Sequence, residues 1–143
     1  MSEQENLRTI EKIFATLNAR QLGVMDEFYT DDYRYEAPGL PGPADLETAR
    51  GYVQGFLTAF PDLHFELRDK VAQGDLVAVS WVSTGTHSGP LRTPSGATLP
   101  ATNKKVNGQG GSFYRFKNGK ITSSAIHWDM ATLLSQLGLM PGM

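Results

Sequence analysis

No cysteine occurs in the 143 residues, so disulfides, thiolate nucleophiles and cysteine metal sites are all excluded. Histidine is almost as scarce. His64, His87 and His127 are the three present, no two of them at i+2 or i+4, so no zinc or non-haem iron site is expected. An excess of one charge is missing too: 13 Lys and Arg stand against 15 Asp and Glu, for a net charge of −2 without any block of like charges. That balance lacks the electrostatic footprint of a nucleic-acid or anionic-membrane partner. No window approaches the roughly 18 apolar residues of a spanning helix. "MSEQENLRTI" has no basic segment followed by an apolar one, and the expectation is a soluble, cytoplasmic protein. Cofactor signatures fail as well. "GQGG" sits inside a strand-like run with no helix after it, and "HSG" and "PSG" lack the strand-to-helix elbow of a nucleophilic serine.

What is present describes one domain over 1–143, since the length suits a single core and 40% hydrophobic residues with 15 glycines is an ordinary globular balance. "SEQENLRTIEKIFATLNAR" sets Leu7, Ile10, Phe14 and Leu17 at helical spacing behind a Ser2–Glu5 capping box. "VMDEFYTDDY" predicts a short second helix, and "YRYEAPG" a brief extended segment. Ala49, Val53, Phe56 and Phe60 form one stripe of a third helix that Pro61 ends.

From Leu63 the period becomes two. "LHFELRDKV", "LVAVSWVSTGTH", "KVNGQGGSFYRF" and "KITSSAIHW" read as strands of an antiparallel sheet, the second of them central because both its faces are apolar. Asn118-Gly119 is a hairpin turn, and "MATLLSQLG" is a closing helix with Gly138 at its C′ position. Residues 88–104 hold three prolines and two glycines without periodicity, a long loop expected to lie over a pocket mouth. Helices first and a curved sheet after is an α+β arrangement with a hollow. Gly85, Gly108, Gly110 and Gly111 are expected to let the sheet bend.

The chemistry left open is acid–base work in that hollow, where desolvation raises a carboxylate's pKa toward neutrality. Asp129, at the joint of the last strand and helix, is the first candidate; it is equally placed to N-cap "MATLLSQLG". His127 shares its strand face by parity, and His87 follows Trp81 and Ser83 at even spacing, as a pocket or a core histidine. Tyr35 is a pocket or surface group. Trp81, Tyr114 and Trp128 wall a cavity or pack the core.

"TIEKIFATLNARQLGVMDEFYTDDY", "FPDLHFELRDKVAQGDLVAVSWVSTGTHSG", "YRFKNGKI" and "WDMATLLSQLG" together resemble the SnoaL-like polyketide cyclases, also called ester cyclases, of the nuclear transport factor 2-like superfamily. The resemblance implies a cystatin-like α+β barrel, a cone of curved antiparallel sheet wrapped around N-terminal helices that dimerises through the sheet; strand parity puts Phe113 and Arg115 on that outer face. It also implies intramolecular aldol ring closure without cofactor or metal, an aspartate of the last strand removing a proton beside a carbonyl. That aspartate's position is Ile126 here. The family's pocket glutamine and histidine fall at Gly110 and Ser112, and its pocket asparagine at Tyr35; the H-x-G of His87 and Gly89 matches. Asp129 matches the family's second aspartate. The expected function is a cofactor-independent lyase or isomerase that cyclises or isomerises a small carbonyl-containing, polyketide-like substrate by proton abstraction, with Asp129, His87 and His127 as catalytic groups and Tyr35, Trp81, Ser83, Ser112, Tyr114, Ile126 and Trp128 around the substrate. A non-catalytic small-molecule binding domain with a mostly apolar pocket is the second expectation, and a dimerisation module the third.

Overall fold

The computed structural model describes residues 2–92 and 96–139. Helix α1 spans Glu3–Asn18. Its capping box forms as the sequence predicts: the Glu5 amide donates to Ser2 Oγ at 3.0 Å, and the Ser2 amide to Glu5 Oε1 at 3.3 Å. Its far end is pinned to the next layer. Asn18 Nδ2 donates to the Phe65 carbonyl and Asn18 Oδ1 accepts the Phe65 amide, both at 2.9 Å, while the Arg20 guanidinium donates to the carbonyls of Pro61 and Leu63.

The predicted second helix is shorter and of another kind. A 3-10 helix covers Leu22–Phe28, and strand β1, Tyr29–Glu36, has taken the rest of that segment. Period two wins there because Tyr33 and Tyr35 alternate into the core while the backbone finds a ladder partner, a gain that one short helical turn does not offer. Helix α2, Leu46–Ala59, begins on an Asp45 cap that accepts the Thr48 amide at 2.8 Å, and stops before Pro61.

Strands β2 (His64–Gln73), β3 (Leu76–Thr86), β6 (Lys105–Lys117) and β7 (Lys120–Trp128) form antiparallel neighbours in the order β1-β7-β6-β3-β2. The sheet is mixed rather than wholly antiparallel, since β1 adds to β7 in parallel. The β6–β7 turn has Asn118 at φ 52° and Gly119 at φ 80°, the paired positive angles that make Asn-Gly a hairpin signal. Two further short strands, β4 (Leu91–Arg92) and β5 (Thr98–Leu99), pair within the segment expected to be a plain loop. Helix α3, Met130–Gln136, closes the described chain, with Gly138 at φ 75° behind it.

Two apolar clusters hold these layers together. One packs Ile10, Ile13 and Phe14 of α1 against Tyr33, Val77, Val79, Trp81, Tyr114 and Ile121 of the sheet. The other joins Leu57, Phe60, Leu63, Leu91 and Leu137 at one end of the cone. Leu91 thus seats the 88–104 segment on the end of α2. None of its described residues lines the cavity, and its Leu91 packs into the cluster at that end.

The chain crosses α2 there at very short range. The Gly89 amide donates to the Ala59 carbonyl at 3.1 Å, and a Cβ at position 89 would overlap the Thr58 carbonyl oxygen. Backbone would have to move to admit any side chain. Gly89→Ala is expected to lower unfolding free energy by about 2 kcal/mol, the cost of overpacking a rigid contact. Urea unfolding measures it, and an unchanged midpoint would refute the close-approach role.

Candidate active site

The cavity follows from inward parity along the strands, roofed by one helix stripe. Tyr35 of β1, Trp81 and Ser83 of β3, and Ile126 and Trp128 of β7 face inward; Tyr52, Val53, Phe56 and Phe60 of α2 stand opposite. The space between them is about 490 Å³, within the usual range for small-molecule pockets. Asn107, Gln109, Asp129, Thr132 and Gln136 supply its polar lining. Gln136 Oε1 accepts the Asn107 amide at 3.0 Å and so ties α3 to β6.

Aromatic edges define the walls. Phe56 meets Trp128 edge-to-face at 5.4 Å, Tyr35 meets Tyr52 at 5.7 Å, and Phe65 meets Trp81 at 5.4 Å. Trp128 Nε1 donates to Tyr52 Oη at 3.2 Å, and Tyr52 donates onward to the Pro38 carbonyl at 2.8 Å. The Tyr52 proton is therefore already committed. Tyr35 differs: it is 7% exposed, it lines the cavity, and its hydroxyl has no hydrogen-bond partner among the described residues. Burial pushes its phenol pKa well above the ordinary value, with smaller contributions from neighbouring tyrosines, so it remains a neutral donor.

Asp129 lines the cavity and also caps α3. Oδ1 accepts the amides of Ala131 at 2.9 Å and Thr132 at 3.3 Å, and Oδ2 accepts Thr132 Oγ1 at 2.8 Å. The hydrogen bond from the Thr132 hydroxyl, followed by the amides, holds the carboxyl below its usual pKa. The group is exposed and ionised, the opposite of the desolvated carboxylate that the sequence led us to expect.

His127 lies on the other side of the sheet. With Ile126 and Trp128 turned in, parity turns His127 out, where it is exposed and its ring stands 6.0 Å from Phe113. Its parity match with Asp129 does not bring the two together, because the strand ends at Trp128 and Asp129 follows the helix cap. His87 does not line the cavity either. β3 ends at Thr86, and the imidazole packs behind Phe60 at 5.2 Å, fully buried. Nδ1 accepts the Thr102 amide at 3.3 Å and lies 3.0 Å from Thr102 Oγ1; Nε2 is buried with no partner among the described residues. Ser112 and Tyr114 are inward but deeper than the cavity: Ser112 Oγ accepts Trp81 Nε1 at 2.9 Å, and burial raises the Tyr114 pKa to about 12.

The sequence reading passed over the α2 wall as pocket. Val53, Phe56 and Phe60 stand out in the sequence only as one helix stripe, and Tyr52 does not stand out at all. Among the described residues no three His, Asp or Glu side chains converge, and no helix is long and apolar enough to cross a membrane.

A helix-and-curved-sheet cone closed around one aromatic pocket defines the nuclear transport factor 2-like α+β class. Within it, this chain belongs to the SnoaL-like polyketide cyclase family, whose sequence model matches residues 7–137. No curated protein matches the sequence. Among solved structures, AclR of Streptomyces galilaeus, a proposed hydroxylase, is similar at TM-score 0.85 and 25% identity, covering 99% of this chain and 86% of its own. IdmH of Streptomyces antibioticus, a proposed polyketide cyclase, is similar at 0.78 and 28% identity over 93% of this chain and 98% of its own. TsrD of Streptomyces laurentii shares the fold at 0.80 and 20% identity, over 97% and 98% respectively.

Burial holds the His87 imidazole below its ordinary pKa, with the Gly89 backbone pulling the other way. The unfolded chain, with a histidine pKa near about 6.5, takes up that proton first as pH falls. His87 therefore destabilises the fold progressively below that value and is without effect above it. His87→Phe is expected to flatten the fall in melting temperature between about pH 7 and pH 5. An equally steep fall in the variant would sink this account. Asp62, which accepts the Thr86 amide at 2.7 Å, titrates at lower pH and does not mask the window.

Proposed function

We propose that the cavity binds a small, flat, carbonyl-bearing molecule of polyketide type and closes or isomerises it by proton transfer at its mouth. One observation carries this reading: the pocket's interior offers an uncommitted phenol, Tyr35, among aromatic walls, and its single carboxylate, Asp129, stands at the polar lining. The likeness to AclR and IdmH, a proposed hydroxylase and a proposed polyketide cyclase, supports the substrate class.

In the proposed step an Asp129 oxygen takes a proton from carbon beside a carbonyl, and the C–H pair becomes the enolate. Tyr35 donates its O–H to the enolate oxygen. The carbon then bonds to a second carbonyl carbon, and the proton returns from Asp129 to the new alkoxide. A carboxylate whose pKa is lowered is a weak base, which restricts the reaction to carbon acidified by two flanking carbonyls. His87 and His127 have no part in this scheme, one behind Phe60 and the other outside the sheet.

The second reading, a binding domain without turnover, is favoured by Ile126 and by the three hydrogen bonds Asp129 already accepts. Two variants separate the readings. Asn caps a helix about as well as Asp, so Asp129→Asn removes the base and keeps the fold. Turnover of a β-diketone panel is expected to fall on the order of 10²-fold or more in Asp129→Asn, and about 10²-fold in Tyr35→Phe. Saturable binding of the panel without turnover in the unaltered protein would establish the binding domain instead.

We also propose a homodimer through the outer sheet face. Phe113 is 48% exposed there, with Ala78 and Ala125 as its strand partners and His127 beside it. Sedimentation velocity at micromolar concentration is expected to show a dimer that Phe113→Glu splits. A monomeric unaltered chain removes the proposal.

A further inference from the structure

Strand β6 presents a nearly bare inner surface, because Gly108, Gly110 and Ser112 are its successive inward positions opposite Ser83, Trp81 and Val79. The bareness is filled from the neighbouring strand. The Trp81 indole lies along it: a Cβ at Gly110 would overlap Cζ2 and Cη2 of that ring, and would stand 2.7 Å from the His127 carbonyl oxygen. Nε1 is fixed on Ser112 Oγ at 2.9 Å, and Phe65 meets the ring edge-on at 5.4 Å. The ring therefore occupies the room of a side chain at 110 and rests on the hydroxyl of Ser112.

The consequence shows in what lines the cavity. Gly108 does so and is nearly open, a Cβ there meeting Ser83 Oγ alone, at 3.1 Å. Gly110 and Ser112 do not, since the indole covers them. Over β6 the hollow reaches Gly108 and Gln109 and stops at the ring, while along β7 and β1 it continues to Ile126 and Tyr35. One hydrogen bond and one glycine thus hold the stopper flat.

We infer that Trp81 fixes the depth of the cavity over β6 and so limits the length of the fused ring system the pocket accepts along that strand, the indole standing where a longer ligand's last ring would lie. This is a specificity role for the pocket, and it rests on the proposed flat, carbonyl-bearing ligand, narrowed here to ring ketones (the ring-ketone reading). The ligand class follows: short, flat fused-ring ketones, with longer linear homologues excluded by the indole.

The test is a ladder of hydroxynaphthoquinone, hydroxyanthraquinone and hydroxytetracenequinone, run beside naphthalene, anthracene and tetracene, with binding followed by titration calorimetry and thermal shift. The proteins are the unaltered chain, Trp81→Phe, and Ser112→Ala, which releases the indole without removing it. The unaltered chain is expected to bind the shorter members and discriminate against the longest. Trp81→Phe is expected to improve the longest-to-shortest affinity ratio about tenfold or more, the worth of relieving a small steric excess in an apolar pocket. Ser112→Ala moves the ratio the same way by less, and keeps the inference testable if Trp81→Phe fails to fold. Equal affinities along the ladder in the unaltered chain, or an unchanged ratio in every folded variant, would overturn the depth role while leaving the ring-ketone reading intact. A length limit seen with the hydrocarbons and no binding of the quinones supports the depth role and removes the ring-ketone reading. Absence of binding by either series to any of the proteins overturns both.

Discussion

The aromatic brace between α2 and β7 is the constraint on which the rest depends. A chain of this size gains stability by closing its interior to crystal-like density, and a hollow of about 490 Å³ forgoes much of that contact. The layers stay apart because Phe56 and Trp128 meet edge-on at 5.4 Å while Trp128 Nε1 is fixed on Tyr52 and Tyr52 on Pro38. A T-shaped aromatic pair has a preferred separation, and a hydrogen-bonded indole has a preferred orientation. Together they make a rigid strut. Helix α2 can then cover the sheet without collapsing onto it, and the polar ends of the strut are satisfied by one another.

The same economy explains which polar groups are free. Trp81, Ser112, Trp128 and Tyr52 spend their hydrogen-bonding capacity on holding walls in place. Tyr35 does not, and its hydroxyl opens on the cavity, free to donate to a ligand. Its position at the inner wall, with its proton secured by desolvation, makes it the group around which the binding reading turns. By the resemblance to the family, its catalytic aspartate falls at Ile126 and its pocket glutamine and histidine at Gly110 and Ser112, and the indole of Trp81 takes the volume of a side chain at 110. These differences are sterically linked: the flat indole requires glycine at 110 and a small hydroxyl at 112, so a glutamine at 110 would demand another residue, or another rotamer, at 81.

How much of this could be read from the sequence depended on whether a residue sat inside a strand or at its end. Inside β3 parity aligned Trp81 with Ser83, and both line the cavity; in β7 it aligned His127 with Asp129, and His127 lies outside the sheet while Ile126 and Trp128 turn in. At the ends it failed, because alternation is a property of continued pleating. His87 stands one residue beyond β3, where the chain turns to pass Gly89 under α2, so its imidazole goes behind Phe60 although even spacing aligned it with Trp81. Asp129 stands one residue beyond β7 and obeys the cap of α3. The 24–33 segment misled differently. Met25 and Phe28 suit a helical turn, Tyr33 and Tyr35 a strand, and the free edge of β7, a partner far along the chain, decides where one gives way to the other. The α2 stripe was legible as buried, yet nothing local tells a helix face that touches the sheet from one that faces a hollow.

The placement of Asp129 couples any chemistry at the pocket mouth to the stability of a short helix. The seven residues of α3 include no buried side chain, and the helix is held by its Asp129 cap, by the Asn107–Gln136 pair and by Leu137 just beyond. A proton arriving on Asp129 weakens the interactions of its oxygens with the Ala131 and Thr132 amides and the Thr132 hydroxyl, and those donors are best satisfied when the carboxylate is anionic. In the proposed reaction, accepting a substrate proton would loosen the first turn of the helix whose Thr132, Leu133 and Gln136 line the cavity. The cap that weakens the base thereby makes the mouth responsive to the protonation state of that base, because opening the turn and protonating the carboxylate draw on the same hydrogen bonds.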